Sequence, residues 1–231
     1  MIAPVDKTKK SNLNAKFVYS EDCSTKQQTL NLRQAIDLAV QHHTAGDLGK
    51  AEEIYQQILE TNPNKPVALH LLGVIFHQNG ENDTAVDLIT RALEYKPDYA
   101  EAHSNLGNVF RELGRLDEAI ASCYNALDFN PDFAEAYNNL GSALKELGKL
   151  GEAITSFHNA LTINSEYAKA HSNLAMLHYS IKQGKETIHH LLKAVEMFEK
   201  TGDELMGNNA KGLLKDCFKE FRLTAEECQT L

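Results

Sequence analysis

The sequence predicts an all-α chain of consecutive helix pairs, and three observations carry that prediction. The chain repeats at a 34-residue interval: HSNLGNVFRELGRLDEAI from His103 is followed by YNNLGSALKELGKLGEAI from Tyr137 and HSNLAMLHYSIKQGKETI from His171. Within each interval the apolar residues fall into two stripes of helical spacing. Glycine punctuates the middle of the intervals and proline their ends.

Residues 1–29 are polar and aperiodic (KTKKSNLNAK, SEDCSTKQQ), a composition that predicts a disordered arm. The periodic pattern begins at Leu32 and gives five units over residues 32–201, at 32–65, 66–99, 100–133, 134–167 and 168–201. Positions four, seven, eight and eleven of a unit form one helical stripe. Positions twenty, twenty-four, twenty-seven and twenty-eight form a second. Gly46, Gly80, Gly114 and Gly148 stand where the first helix must stop, since glycine accepts the left-handed backbone of a helix end. Pro63, Pro97 and Pro131 end the second helix, because the residue before proline disfavours helical geometry. The fifth unit departs from this punctuation, with Lys182 and Glu199 at the corresponding places.

Position eight is small in every unit: Ala39, Gly73, Gly107, Gly141 and Ala175. A glycine inside a helix costs about 1 kcal/mol against alanine, so the three glycines imply a tight helix-to-helix approach. Beyond the fifth unit, Met206, Ala210, Leu213, Leu214, Cys217, Phe218 and Phe221 trace a further apolar stripe. It predicts a capping helix within 203–231, and Thr224 with Glu227 has the spacing of a capping box for a short continuation.

This period and small–large pattern resembles the tetratricopeptide repeat family, over about three quarters of the chain. The resemblance implies a right-handed superhelical solenoid whose first helices line a concave groove. On a helical wheel, positions two, five, six, nine and thirteen of the first helix lie opposite the core stripe. Asn105, Asn139 and Asn173 all occupy position six. Asparagine is a poor helix former, and on the wheel of one helix neither core nor cap calls for it, so alanine there is expected to leave folding intact. NLGN and NNLGS are similar to the repeat arm of O-linked N-acetylglucosamine transferases, where such asparagines hold a peptide backbone through their amides. The resemblance thus implies a peptide-binding set of Asn105, Asn139 and Asn173, with Asn108, Asn138, Arg111, Lys145 and Lys169 beside them. A second resemblance, to the carboxylate clamp of co-chaperone repeats, rests on Asn108, Asn139 and Lys169. Ser104 and Asn173 replace two of the cations such a clamp needs, and Glu101, Glu112, Glu135 and Glu146 oppose an acidic tail.

The remaining chemistry is excluded rather than suggested. Acidic residues outnumber basic ones, 32 to 23, against the basic footprint of a nucleic-acid binder. Cys23, Cys123, Cys217 and Cys228 form no CxxC pair and fit a reducing, cytoplasmic setting. No apolar run approaches a membrane span and MIAPVDKTKK lacks a signal peptide's apolar core. The ten histidines show no complete set of metal-ligand spacing, and packing or surface roles are expected of them. No phosphate loop, nucleophile elbow or HExxH is present. The expected function is a non-catalytic scaffold without cofactor, holding an extended protein or peptide segment and neither nucleic acid nor membrane. The alternative is the substrate-recognition arm of a glycosyltransferase-type enzyme whose catalytic domain lies outside this chain.

Overall fold

The computed structural model describes residues 17–20 and 27–221, arranged in two compact units that meet at Asp98 and Tyr99. The division falls one residue before the boundary between the second and third repeats.

In the first unit, β1 (Phe17–Ser20) and β2 (Gln27–Leu30) pair antiparallel, with Phe17 opposite Leu30 and Ser20 opposite Gln27. This corrects the expectation of an unstructured arm for residues 17–20 and 27–29. The polar composition around them hides short runs of β-forming residues, FVYS above all. Helices α1 (Leu32–Thr44), α2 (Leu48–Thr61), α3 (Pro66–Gln78) and α4 (Asn82–Tyr95) follow. Asn31 caps α1 in a reciprocal capping box: Gln34 donates its backbone N–H to Asn31 Oδ1, and Asn31 its own to Gln34 Oε1, each at 3.0 Å. Pro66 opens α3, where its missing N–H costs nothing. The core gathers Ala35, Ala39, Tyr55, Ile58 and Leu72 of the predicted stripes, with Ile54 and Ile75 from the positions beside them.

The second unit contains α5 (Ala100–Glu112), α6 (Leu116–Phe129), α7 (Ala134–Glu146), α8 (Leu150–Ile163), α9 (Ala168–Ser180), α10 (Gly184–Thr201) and α11 (Glu204–Phe221). Three helix pairs succeed one another, and α11 closes the last by packing on α10. Two buried clusters run through it. One is centred on Leu140, Leu144, Phe157, Leu174 and Leu177, the other on Ile188, Leu191, Met197, Phe198 and Cys217. The predicted capping helix is therefore present as α11, and the Thr224–Glu227 motif lies outside the described residues. The fold class is all-α, built of tandem helix pairs.

The tight approach inferred at position eight is borne out. A Cβ on Gly73 would lie 2.7 Å from Ile89 Cγ1, one on Gly107 2.9 Å from Cys123 Sγ and 3.1 Å from the Ala119 carbonyl, and one on Gly141 2.7 Å from the Phe157 ring. In each case position eight faces position twenty-four of the same repeat.

The glycines that stop the first helices take positive φ, 73° at Gly114 and 84° at Gly148. Lys182 occupies the same place in the fifth repeat with φ 62°, the one non-glycine residue in that region among the described residues. Its ammonium bonds Glu220 Oε1 of α11 at 2.8 Å, a contact that compensates only weakly because Lys182 is largely exposed. Without a proline to stop it, α10 runs 18 residues, where α8 has 14, and ends at Gly202, φ 73°. No proline ends α8 either; there Asn164 accepts from the Glu166 N–H at 3.1 Å and turns the chain.

Two outcomes follow. Gly107→Leu, which must displace backbone as well as Cys123, should destabilise the second unit by about 2–3 kcal/mol in urea denaturation. Lys182→Gly, which relieves a left-handed side chain, should raise stability by about 0.5–1 kcal/mol in the same assay.

Candidate functional site

The first helices α5, α7 and α9 lie side by side in the second unit, and the polar residues along them form one cleft of about 280 Å³. All eight residues singled out in the sequence line it: Asn105, Asn108 and Arg111 from α5, Asn138, Asn139 and Lys145 from α7, and Lys169 and Asn173 from α9. Glu135, Ser142, Glu146 and Tyr167 complete the lining. Ser142 and Tyr167 were not in the sequence-derived set. Tyr167 carried a usable signal, since Tyr99, Phe133 and Tyr167 recur at the last position of three units.

The helices are joined by side-chain bonds that advance 35 residues, one repeat plus one. Asn139 Nδ2 donates to Ser104 Oγ at 3.1 Å. Asn173 Nδ2 donates to Asn138 Oδ1 at 2.9 Å and reaches Ser142 Oγ at 3.5 Å. Arg111 Nη1 donates to Glu146 Oε1 at 2.7 Å, while its Nη2 donates to Asn108 Oδ1 at 3.0 Å. The amide at position six thus grips position five of the preceding repeat.

These bonds correct two expectations. Position five does not lie on an outer face: Ser104 is 1% exposed and Asn138 5% exposed. Asn138 is accordingly a buried acceptor at the floor of the cleft rather than a projecting ligand group. At position six, Asn139 and Asn173 are also engaged in the fold rather than left on a free face. The wheel of one helix omits the neighbouring first helix, which covers position five and needs a polar partner there. Asn139 and Asn173 make these bonds through Nδ2, so the carbonyl oxygen of each amide takes no part in them. A carboxamide can therefore bridge the fold on one side and a ligand on the other.

The charges in the cleft are mixed. Arg111 is tied to Glu146 and lies 3.5 Å from Glu112. Lys145, half-buried, and Lys169, exposed, bring two further cations, and Glu135 an exposed carboxylate. Burial, and then the Glu135 carboxylate, pushes the Tyr167 hydroxyl up to about 12, so it remains a neutral hydrogen-bonding group. Behind the cleft, burial pushes the Cys123 thiol up to about 12 against the opposing pull of Arg111, which leaves it inert. Ser104, where a carboxylate clamp needs a lysine, is buried as the acceptor of the Asn139 bond.

Three histidines of the first unit, His42, His43 and His77, take separate partners. His42 Nδ1 is 3.4 Å from Asp47, His43 meets the Tyr55 ring edge-on, and His77 Nδ1 bonds Asn82 Oδ1 at 2.8 Å. Among the described residues no three His, Cys, Asp or Glu side chains are placed to hold a metal ion, and no helix is long and apolar enough to cross a membrane.

Tandem helix pairs with a polar cleft along their first helices define a helical-repeat protein. A family model described as tetratricopeptide repeat matches residues 42–109, and another described as TPR repeat matches 107–148 and 141–182, together more than half of the chain. The chain belongs to the tetratricopeptide repeat family. No curated protein matches it. Among solved structures it is similar to a thermophilic TPR protein of Thermus thermophilus, with 21% identity, TM-score 0.68, and 81% of this chain and 98% of that one covered. It is also similar to PilW, a type IV pilus biogenesis factor, with 21% identity, TM-score 0.66, and 86% and 97% covered. MamA of Desulfovibrio magneticus RS-1 gives 20% identity, TM-score 0.61, and 73% and 96% covered. At these identities the likeness is one of fold.

Asn173→Ala should destabilise the second unit by about 1–3 kcal/mol, because it strands the buried Asn138 carbonyl. A double-mutant cycle with Asn138→Ala, read by urea denaturation, should show coupling of about 1 kcal/mol.

Proposed function

We propose that this protein is a non-catalytic, cytoplasmic scaffold that binds an extended protein segment in the cleft along α5, α7 and α9. Tetratricopeptide repeat proteins bind proteins or peptides, and the carrying observation is the row of amides in that cleft, Asn105, Asn139 and Asn173. Neighbouring packed helices lie about 8–10 Å apart, and an extended strand advances about 3.3 Å per residue. Successive amides therefore meet such a strand at about every third residue. The carbonyl oxygens of Asn139 and Asn173, which take no part in the bonds between repeats, are suited to accept a peptide N–H. Tyr167 and Lys145 supply a hydroxyl and an ammonium to the strand's carbonyls, and mixed charge favours no strongly acidic or basic sequence. Recognition of this kind reads backbone more than side chain. The resemblance of the asparagine row to O-linked N-acetylglucosamine transferase arms suggests the same mode. A role as the recognition arm of such an enzyme would additionally require sugar transfer when a catalytic partner is supplied.

The test starts from peptides selected from a random extended-peptide library on the folded protein. Lys145→Ala combined with Lys169→Ala alters two cations at the surface of the cleft and should change stability by less than about 0.5 kcal/mol. It should weaken selected peptides about tenfold or more in calorimetric titration, the loss of two hydrogen bonds at about 1 kcal/mol each. N-methylating a central peptide bond should weaken binding more than replacing the adjacent side chain with alanine. Equal affinity of wild type and double variant would place the ligand elsewhere.

A further inference from the structure

Five histidines of the second unit converge on one point. His190 of α10 is the centre: its ring centroid lies 5.4 Å from that of His171, 5.7 Å from His178, 6.0 Å from His158 and 5.2 Å from His189. His171, His178 and His190 are buried. His171 sits at the core position four of its repeat, and the cluster draws on three elements, α8, α9 and α10.

The hydrogen bonds fix the protonation of the central pair. His171 Nε2 lies 3.1 Å from the Ser165 carbonyl, which can only accept, so Nε2 carries the hydrogen. In a neutral ring its Nδ1 is then bare. That nitrogen is 3.1 Å from His190 Nδ1, which must donate. Protonating His171 would set two N–H groups against each other. Protonating His190 would place a cation stacked on His178, whose Nδ1 donates to Gln183 Oε1. Every charge acting on His190 is another imidazole: His158 from α8, His171 and His178 from α9, and His189 from α10. Lys193 of α10 adds a further positive charge near His171. Among the described residues, no carboxylate of α8, α9, α10 or α11 is among the groups acting on either ring. The pair is thus built to be neutral, with no anion beside it to hold a proton.

We propose that this cluster is an acid-operated clasp, closed while the His171–His190 pair is neutral and loosened by its protonation in acid, which separates α9 from α10. Because α9 carries Lys169 and Asn173, opening withdraws one wall of the cleft; that consequence for binding rests on the peptide-binding reading, whereas the opening itself does not. Burial, followed by His171 and the other three rings, pushes His190 down to about 3, against 6.5 when exposed. The sign follows: stability from the neutral ring is complete above about pH 6.5 and is lost as pH falls through that value toward 3. At pH 5, relative to pH 7.5, the open form gains about thirtyfold from His190 alone.

The test is amide hydrogen exchange of α9 and α10 in the intact chain at pH 7.5 and 5, corrected for intrinsic rates. The expected result is an opening equilibrium about thirtyfold greater at pH 5, with α5 and α6 changing much less. His190→Asn keeps a donor near the Nδ1 position and removes the titration, and should reduce the pH effect about tenfold or more. Should that variant not fold, the wild-type ring resonances decide: His190 should stay neutral while α9–α10 amides are protected, and protonate only as protection is lost. Protonation of His190 near pH 6.5 with protection unchanged, or an equal pH effect in wild type and folded His190→Asn, overturns the clasp. Neither readout uses a ligand, so failure of the peptide reading leaves the result intact.

Discussion

The missing side chain at position eight sets how near the two helices of a repeat can lie, and the remaining architecture is built on that distance. At Gly107 the partner is Cys123, at Gly141 it is the Phe157 ring, and at Gly73 it is Ile89. The three partners differ in size and shape, yet each would collide with a Cβ. In these three repeats position twenty-four varies in size and shape because position eight contributes no side chain. Where position eight is alanine, as at Ala39 and Ala175, the facing residues are Tyr55 and Leu191, and both alanines are fully buried. A close pair also fixes the direction in which its first helix points its polar face. In the second unit this aligns α5, α7 and α9, so that one sequence position can speak to its neighbour in the next repeat.

That lateral register explains why asparagine recurs. A polar residue at position five becomes covered when the next first helix arrives, and a covered polar atom without a partner costs about 1–3 kcal/mol. The amide at position six meets that need from one repeat further on, as Asn139 does for Ser104 and Asn173 for Asn138. Arg111 and Glu146 make a third bond with the same 35-residue advance. The row of amides is thus first a seam between repeats. Its carbonyl oxygens make the same seam a place where a peptide backbone can pair, so the fold and the cleft draw on one set of residues.

The sequence was informative wherever a rule acts within one repeat. Helix pairs, the glycine contacts, the left-handed helix ends and α11 all follow from periodicity and local backbone preference, which a 34-residue pattern displays five times over. The eight residues expected at the binding face do meet in one cleft. The pattern misleads where the deciding contact lies a repeat away. A single wheel placed Asn138 outward because it contains no neighbour to cover it. Lys182 read as a missing helix stop, but the backbone takes the left-handed turn regardless. The strands at Phe17–Ser20 and Gln27–Leu30 were hidden because two four-residue segments in polar surroundings have no period to reveal them.

The histidines show the same limit in its strongest form. His158, His171, His178, His189 and His190 belong to three helices, and no two of them share a position in the repeat pattern, so no spacing in the chain announces their meeting. Only the last repeat gathers them, and it is also the repeat that gives up the glycine at position eight, the glycine at the helix stop and the terminal proline. It is held instead by α11, through the Phe221 ring over Gly184 and the Glu220 carboxylate on Tyr179 and Lys182. The inner pairs of the second unit bury chiefly apolar groups, Phe157, Leu140 and Leu144 among them, whose state does not depend on pH in the neutral range. The terminal pair buries imidazoles whose state does. Within the second unit the last helix pair is therefore the one whose cohesion depends on proton concentration, and it can loosen without breaking the packing between α5, α6, α7 and α8.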